Sequence, residues 1–297
     1  MNFHVSVLLD EVVEHLNPRP NQRFIDGTVG QGGHAEVILQ RILPVVPPLK
    51  NSAKCLLAID RDVSNLAVSR KRLAGFGDSV VFIHDSYAHV KAHALSHQFT
   101  SVHGILLDLG FASVHVDDPS RGFSFRGDGP LDMRYDITQG ITAAEIINEW
   151  SEDELAKIFR QYSEEKQARP IAQAIVRARK QKSINTTTVL AELVATVVRT
   201  GGPIHPATRV FQALRIATND EFGELTRALP DLVSLLAHGG RIAIITFHSL
   251  EDRLVKNFFR QEPSLTLVNK KVIVPSRNEI LANPRSRSAK LRIAEKI

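Results

Sequence analysis

Four aspartates, Asp26, Asp60, Asp85 and Asp108, each close an apolar run of this chain. In an open α/β sheet, ligands bind beyond the carboxyl ends of the strands, so acids in these positions converge on one crevice. The first of them opens the most informative stretch, Arg23–Leu39. Phe24-Ile25-Asp26 reads as the end of a buried strand. Gly27, Gly30, Gly32 and Gly33 then form a turn that lets a ligand approach the backbone. His34–Leu39 resumes as a helix whose N-terminal N–H groups face back to the turn. Strand, glycine turn and helix make the first unit of a nucleotide-cofactor fold. Gly30-x-Gly32-x-x-Ala35 also satisfies the dinucleotide spacing, so an NAD-linked oxidoreductase is one reading.

The elements that position these acids follow from periodicity. Cys55–Ile59 predicts a second strand, Val80–Ile83 a third and Val102–Leu107 a fourth, with a helix over about 63–73 between the second and third. Buried runs separated by helices predict a parallel sheet covered on both faces. The pattern changes from Ser113 to about His205, where turn-rich loops give way to helices. These include one opened by a Ser151-x-x-Glu154 capping box, a basic one over about 170–182, and one carrying Leu190, Leu193, Val194, Val197 and Val198. The expected division is a core over 1–112, an inserted helical domain over 113–205, and the rest of the core over 206–297. In that last part a long helix, interrupted near Pro230, leads to a fifth strand at Arg241–Thr246. Val268–Val274 and Ala289–Ala294 read as an antiparallel pair at the sheet edge, with no helix between them.

Composition narrows the partners. The chain has 297 residues, 43% hydrophobic and 23% charged, which is ordinary for a soluble globular protein. No apolar run is long enough for a membrane span, and the opening residues lack a leader pattern. One cysteine, Cys55, excludes an internal disulfide, and no Cys/His cluster has metal-ligand spacing. The expectation is therefore a cytoplasmic protein with no metal. Net charge is +5. From Asn269 onward eight Lys/Arg stand against two Asp/Glu, so the tail carries +6 and the other 268 residues −1. Localised positive charge on a near-neutral body points to a polyanionic partner. A sheet ending in an antiparallel pair, with an acid after each of strands one to four, fits an S-adenosylmethionine methyltransferase better than a dehydrogenase. A non-catalytic RNA-binding protein on a relic fold is the remaining alternative.

Several blocks together resemble one family. They are Asp26–His34 (DGTVGQGGH), Asp60-Arg61-Asp62, Asp108-Leu109-Gly110, Arg121–Phe125 with Asp128–Arg134, Phe211–Ile216 (FQALRI), Phe247–Arg253 (FHSLEDR) and Asn283–Arg292. All are similar to the bacterial 16S rRNA cytosine-N4 methyltransferase H family, over nearly the whole chain. The resemblance implies a class I, Rossmann-like methyltransferase sheet with an inserted helical domain. It implies methyl transfer from S-adenosylmethionine to N4 of a cytidine in the decoding region of 16S rRNA, with the small ribosomal subunit as partner. Carried over by position, the cofactor contacts are Gly32, Gly33, His34, Asp60, Tyr87, Asp108 and His115. Where the family usually shows Val-Ser-Ser-Pro-Gln, this chain has Phe111–His115, ending in an imidazole instead of an amide. Asp108 is the candidate catalytic residue, as acceptor for the target amine or as an orienting group. His34 as a plain helix-start residue, Tyr87 as core packing and His248 as a cap stand beside the functional readings. In the tail, strand alternation is expected to put Arg285 and Arg287 on one face toward RNA phosphates. The oligomeric state stays open, a homodimer being one option.

Overall fold

The computed structural model describes residues 6–43, 54–110, 116–198 and 205–297. It divides into two compact units, Met1–Gly110 with Gly223–Ile297, and Phe111–Phe222.

The first unit is built on a seven-stranded sheet. Its strands are β1 (Phe24–Asp26), β2 (Leu56–Asp60), β3 (Val80–His84), β4 (Val102–Asp108), β5 (Leu236–Thr246), β6 (Leu265–Leu267) and β7 (Lys290–Lys296). Their spatial order is β3-β2-β1-β4-β5-β7-β6. The first five are parallel, and β7 runs antiparallel to both β5 and β6. Alternate side chains of each strand enter opposite apolar layers, as the period of two requires. Phe24, Leu56, Ala58, Leu106, Ala243 and Ile245 pack with α1 (Leu9–Leu16), α2 (Gly33–Ile42) and α3 (Val63–Arg72). Ile25, Leu57, Ile59, Ile105, Leu107, Ile242 and Ile244 pack with α4 (Val90–Ser96), α10 (Glu221–Leu235) and α11 (Ser249–Gln261). Burial on both faces is why these strands read as unbroken apolar runs. The chain builds β1, β2 and β3 outward in one direction and then returns to place β4 on the other side of β1. That reversal opens a crevice between the ends of β1 and β4.

The second unit is helical: α5 (Ala143–Glu149), α6 (Glu152–Ser163), α7 (Ala168–Arg179), α8 (Thr187–Val197) and α9 (Ala207–Asn219). Capping boxes open two of them, Thr142 with Glu145 and Ser151 with Glu154. Ile146, Leu155, Phe159, Ile171, Ile175, Leu190, Val194, Val210, Phe211 and Leu214 form its core. The last three belong to α9, so the chain leaves this unit after Phe222 and not at 206.

Three further expectations change. The long helix after 206 breaks at Asp220, which takes the left-handed conformation (φ 48°, ψ 40°), and Pro230 sits inside α10. Aspartate is one of the few side chains that visits that conformation readily. β5 begins at Leu236, earlier than expected, and runs through Gly239-Gly240. A register shift opposite Val102 and Gly104 absorbs the glycines, and a Cβ on Gly240 would stand 2.8 Å from the Val102 carbonyl. At the sheet edge the strands are β6 and β7 in place of 268–274 and 289–294. Ile273 makes only an isolated bridge to Leu291. Between them lie α12 (Arg277–Ala282), capped by Ser276, and a 3₁₀ turn over Pro284–Ser288.

Candidate active site

The glycine turn is held from both sides. Gly27 N donates to Leu106 O (2.9 Å) and Val29 N to Ile59 O (2.9 Å), tying the turn to β4 and β2. Three glycines are demanded by geometry. Gly32 has φ 82° as it caps α2, and a Cβ there would also press on Ser69 and Leu73 of α3. A Cβ on Gly27 would meet Leu107 Cδ2 at 2.5 Å and Tyr87 Cβ at 3.2 Å. A Cβ on Gly33 would collide with the Ser6 hydroxyl.

Asp60 ends β2 and reaches back to this turn. Its Oδ2 accepts from Gly30 N (2.7 Å) and its Oδ1 from Asp62 N (2.8 Å). Asn65 Nδ2 adds a longer bond to Oδ1, 3.4 Å. Burial raises its pKa above the usual carboxylate range, against the opposing pull of those backbone bonds. Asp62 is itself occupied as the N-cap of α3, accepting from Ser64 N at 2.7 Å.

Asp85, the acid after β3, is turned elsewhere. His93 Nε2 lies 2.6 Å from its Oδ2, His89 Nδ1 lies 3.0 Å from Oδ1, and Ser86 N donates to Oδ1 at 2.7 Å. Burial pushes this carboxyl up, but the bonds from His93, His89 and Ser86 outweigh it and hold the pKa below the ordinary value. So three of the four strand-end acids gather around the turn, while Asp85 anchors the start of α4. Tyr87, two residues on, is half-buried and packs against the apolar layer that contains Ile25 and Leu57.

Asp26 and Asp108 flank the crevice. Asp26 is 1% exposed, and its Oδ1 accepts from Thr28 N (3.1 Å). Thr28 Oγ1 in turn accepts from Asp108 N (2.6 Å), clipping the turn to the end of β4. The Oδ1 atom of Asp108 is enclosed and has no hydrogen-bond partner among the described residues. Burial, with the Asp60 charge adding to it, pushes the Asp26 carboxyl up to about 7, even though the Thr28 bond pulls it down. Burial, followed by the charges of Asp26 and Glu251, pushes Asp108 up to about 8.

His34 faces this pair. Its Nε2 lies 2.9 Å from Val7 O, and a carbonyl only accepts, so Nε2 carries the proton. Its Nδ1 faces Asp108 Oδ2, 3.8 Å away. The imidazole thus has one nitrogen spent on the fold and one directed at the acid.

The FHSLEDR block is a capped helix start. His248 is the N-cap of α11, with Nδ1 accepting from Glu251 N (3.3 Å). Glu251, 2% exposed, accepts in return from Phe247 N (3.0 Å) and His248 N (3.4 Å). The capping role considered for His248 is what the structure contains, and it delivers Glu251 to the crevice. Asp252 binds Arg292 through two bonds (2.6 and 3.1 Å), with Lys290 3.5 Å away. Against a burial penalty, those two cations hold its carboxyl below the usual range. Arg285 and Arg287 lie in the 3₁₀ turn and not on a strand, with buried Ser286 between them. At three residues per turn they diverge by about 120°, so they do not share a face. His115 lies outside the described residues.

In the helical unit, the other recognition blocks hold loops in place. Arg121 Nη2 donates to the carbonyls of Arg134 and Tyr135, both at 2.9 Å, and Arg134 grips Asp132 through Nε (2.9 Å) and Nη2 (2.8 Å). Arg215 of FQALRI pairs with Glu221 (2.8 and 2.9 Å). Sequence reasoning placed Asp26 at the crevice without giving it a contact, and passed over Thr28 and Glu251. Asp26 was visible as a strand-end acid, and Glu251 as the third position of a capping box.

The model of the MraW methylase family matches residues 1–297. The "Ribosomal RNA small subunit methyltransferase H" of Nostoc sp. is 48% identical, over 99% of this chain and 92% of its own length. Proteins of the same name from Syntrophotalea carbinolica (44% identical; 99% and 98% covered) and Dehalococcoides mccartyi (43%; 99% and 86%) match as well. A seven-stranded sheet with a reversed last strand, a glycine turn clipped to β4 and a whole-chain match lead to one assignment: the chain belongs to the MraW methylase family.

Proposed function

We propose that the protein transfers a methyl group from S-adenosylmethionine to N4 of a cytidine in the decoding region of 16S rRNA, within the cytoplasm. The observation that carries this reading is the enclosed, unpartnered Oδ1 of Asp108 at the switch point, beside the glycine turn. The donor set fits the cofactor. Beyond the bonds it accepts from Gly30 and Asp62, Asp60 keeps one lone pair for a ribose hydroxyl, and the long 3.4 Å bond from Asn65 gives way for the second. Gly27, Gly32 and Gly33 let the turn pack directly against Leu107, Leu73 and Ser6, which fixes its path beside the crevice, and Tyr87 lies next to Gly27. When bound, the sulfonium supplies an already activated methyl group. What remains for the protein is to hold the amine in line and accept its hydrogen bonds. Asp108 takes that role. A more tetrahedral nitrogen is a better nucleophile than the ring-conjugated amine, and an acceptor carboxylate favours it. His34 orients Asp108 from the side, and the target base leaves its stack to arrive there.

Transfer of labelled methyl to small ribosomal subunits from a strain lacking this enzyme tests the reading, with mapping of the label to one cytidine N4. Asp108→Asn is expected to lower turnover by roughly 10²–10⁴-fold, the range of a positioned proton acceptor. Protection against heat by NAD but not S-adenosylhomocysteine would return the site to the dehydrogenase reading.

The helical unit and the basic tail serve RNA in this proposal. Arg285 and Arg287 are exposed and diverge, so each meets a different phosphate. Arg285→Ala with Arg287→Ala should flatten the salt dependence of RNA binding by roughly one to two units of slope. Cofactor affinity should stay unchanged. A lowered melting temperature with an unaltered slope would mean that the pair serves only the fold.

A further inference from the structure

Asp26, Asp60, Asp108 and Glu251 bring four carboxyl groups to one end of the sheet, from β1, β2, β4 and the start of α11. Asp60 and Glu251 have their charge spread over backbone N–H groups, and His248 Nε2 lies 3.0 Å from Glu251. Asp26 and Asp108 are less well provided. Among the described residues neither pairs with a lysine or arginine. Asp26 accepts one backbone bond, and Asp108 Oδ1 accepts none. His34 Nδ1 stands 3.8 Å from Asp108 Oδ2, beyond hydrogen-bond distance. Two adjacent carboxylates with so little compensation do not both ionise out of water. Their pKa values, raised chiefly by burial to about 7 and about 8, agree with a proton retained by the pair near neutrality. The cofactor assigned above is positively charged at sulfur before the reaction and neutral there afterwards.

Resting on that assignment, we propose that the Asp26–Asp108 pair holds a proton in the free protein, releases it to solvent as the sulfonium arrives, and regains one from the substrate amine on transfer. The balance closes. The new N–C bond forms as the C–S bond breaks with its electrons going to sulfur, one N–H bond breaks, and its proton goes to the carboxylate. The pair then carries one negative charge in place of two, beside a neutral thioether. The charged donor faces one more negative charge than the product does, so the protonation cycle distinguishes the two ligands.

The sign follows from linkage. A ligand that favours the ionised pair binds more tightly as pH rises, roughly tenfold per pH unit below the pKa, and levels off above it. Asp60, Glu251 and His34 face the pair from β2, α11 and α2.

Infrared difference spectroscopy on the whole protein at pH 7 reads the proton directly. S-adenosylmethionine should remove the carbonyl stretch of a protonated carboxyl, and S-adenosylhomocysteine should leave it. Asp108→Asn and Asp26→Asn should each abolish the ligand-induced loss. Because the ligands' own amino groups titrate in this range, the tenfold-per-unit gain in calorimetric affinity is taken as wild type minus variant. Loss of the band with both ligands, or with neither while both bind, overturns the proton cycle and leaves the cofactor assignment standing. Failure of both ligands to bind wild-type protein overturns the two together.

Discussion

Arg215→Ala should cost the helical unit roughly 3–5 kcal/mol, the usual penalty for breaking a buried ion pair from one side. Arg215 is 7% exposed and Glu221 9%. The guanidinium binds both carboxylate oxygens, and the Tyr135 hydroxyl donates to Oε1 of Glu221 at 3.1 Å. Removing the arginine leaves a nearly enclosed carboxylate with one neutral donor. The melting temperature should fall on the order of 10 °C. The cost is the orphaned charge and not the worth of the pair, so Arg215→Met with Glu221→Leu should recover most of it. A melting temperature within a degree or two of wild type in the single variant would show that Glu221 finds water or another donor. A double variant no better than the single one would show that the shape of the pair, and not its charge, holds α9 to α10.

That ion pair also shows where the sequence stopped being informative. FQALRI is recognisable as a block, but the partner of Arg215 lies six residues on, across a break at Asp220 that periodicity places ten residues later, at Pro230. The sheet was more legible. Each of the first four strands is an apolar run with an acid at or just after its end, and both signals are local. Which acids face the crevice was not. Asp85 turns away because α4 brings His93, and the 3₁₀ turn before it His89, onto its two oxygens. The tail was misread for a related reason. A six-residue helix shows almost no period, so Ser276-x-x-Glu279 was its single local mark. Once α12 and the 3₁₀ turn replace a strand, the alternation of Arg285 and Arg287 loses its meaning. His34 was read as a ligand contact or a helix-start residue. Its bond to Val7 and its approach to Asp108 depend on chain segments 27 and 74 residues away, which spacing cannot supply.

Asp60→Ala should weaken S-adenosylmethionine by roughly 2–3 kcal/mol, the scale of charge-assisted hydrogen bonds, or about 30- to 150-fold. RNA affinity should hardly change. Two causes lead to the same loss. In one, the carboxylate holds the ribose hydroxyls. In the other, it only shapes the turn, because the variant also frees Gly30 N and Asp62 N, which Asp60 accepts at 2.7 and 2.8 Å. A ligand lacking both hydroxyls separates them, because it closes a double-mutant cycle between residue and ligand. If Asp60 binds the ribose, the 2′,3′-dideoxy form of S-adenosylhomocysteine should bind wild type and variant with nearly equal affinity. If Asp60 acts through the turn, the variant should lose the same factor with either ligand, and Asp62→Ala, which removes the cap of α3 but not the carboxylate of Asp60, should reproduce part of it. Undiminished cofactor affinity in Asp60→Ala, measured calorimetrically on protein with a wild-type melt, would remove this residue from the site altogether. The turn would then owe its shape to Gly32 and to the Val29 and Gly27 bonds alone.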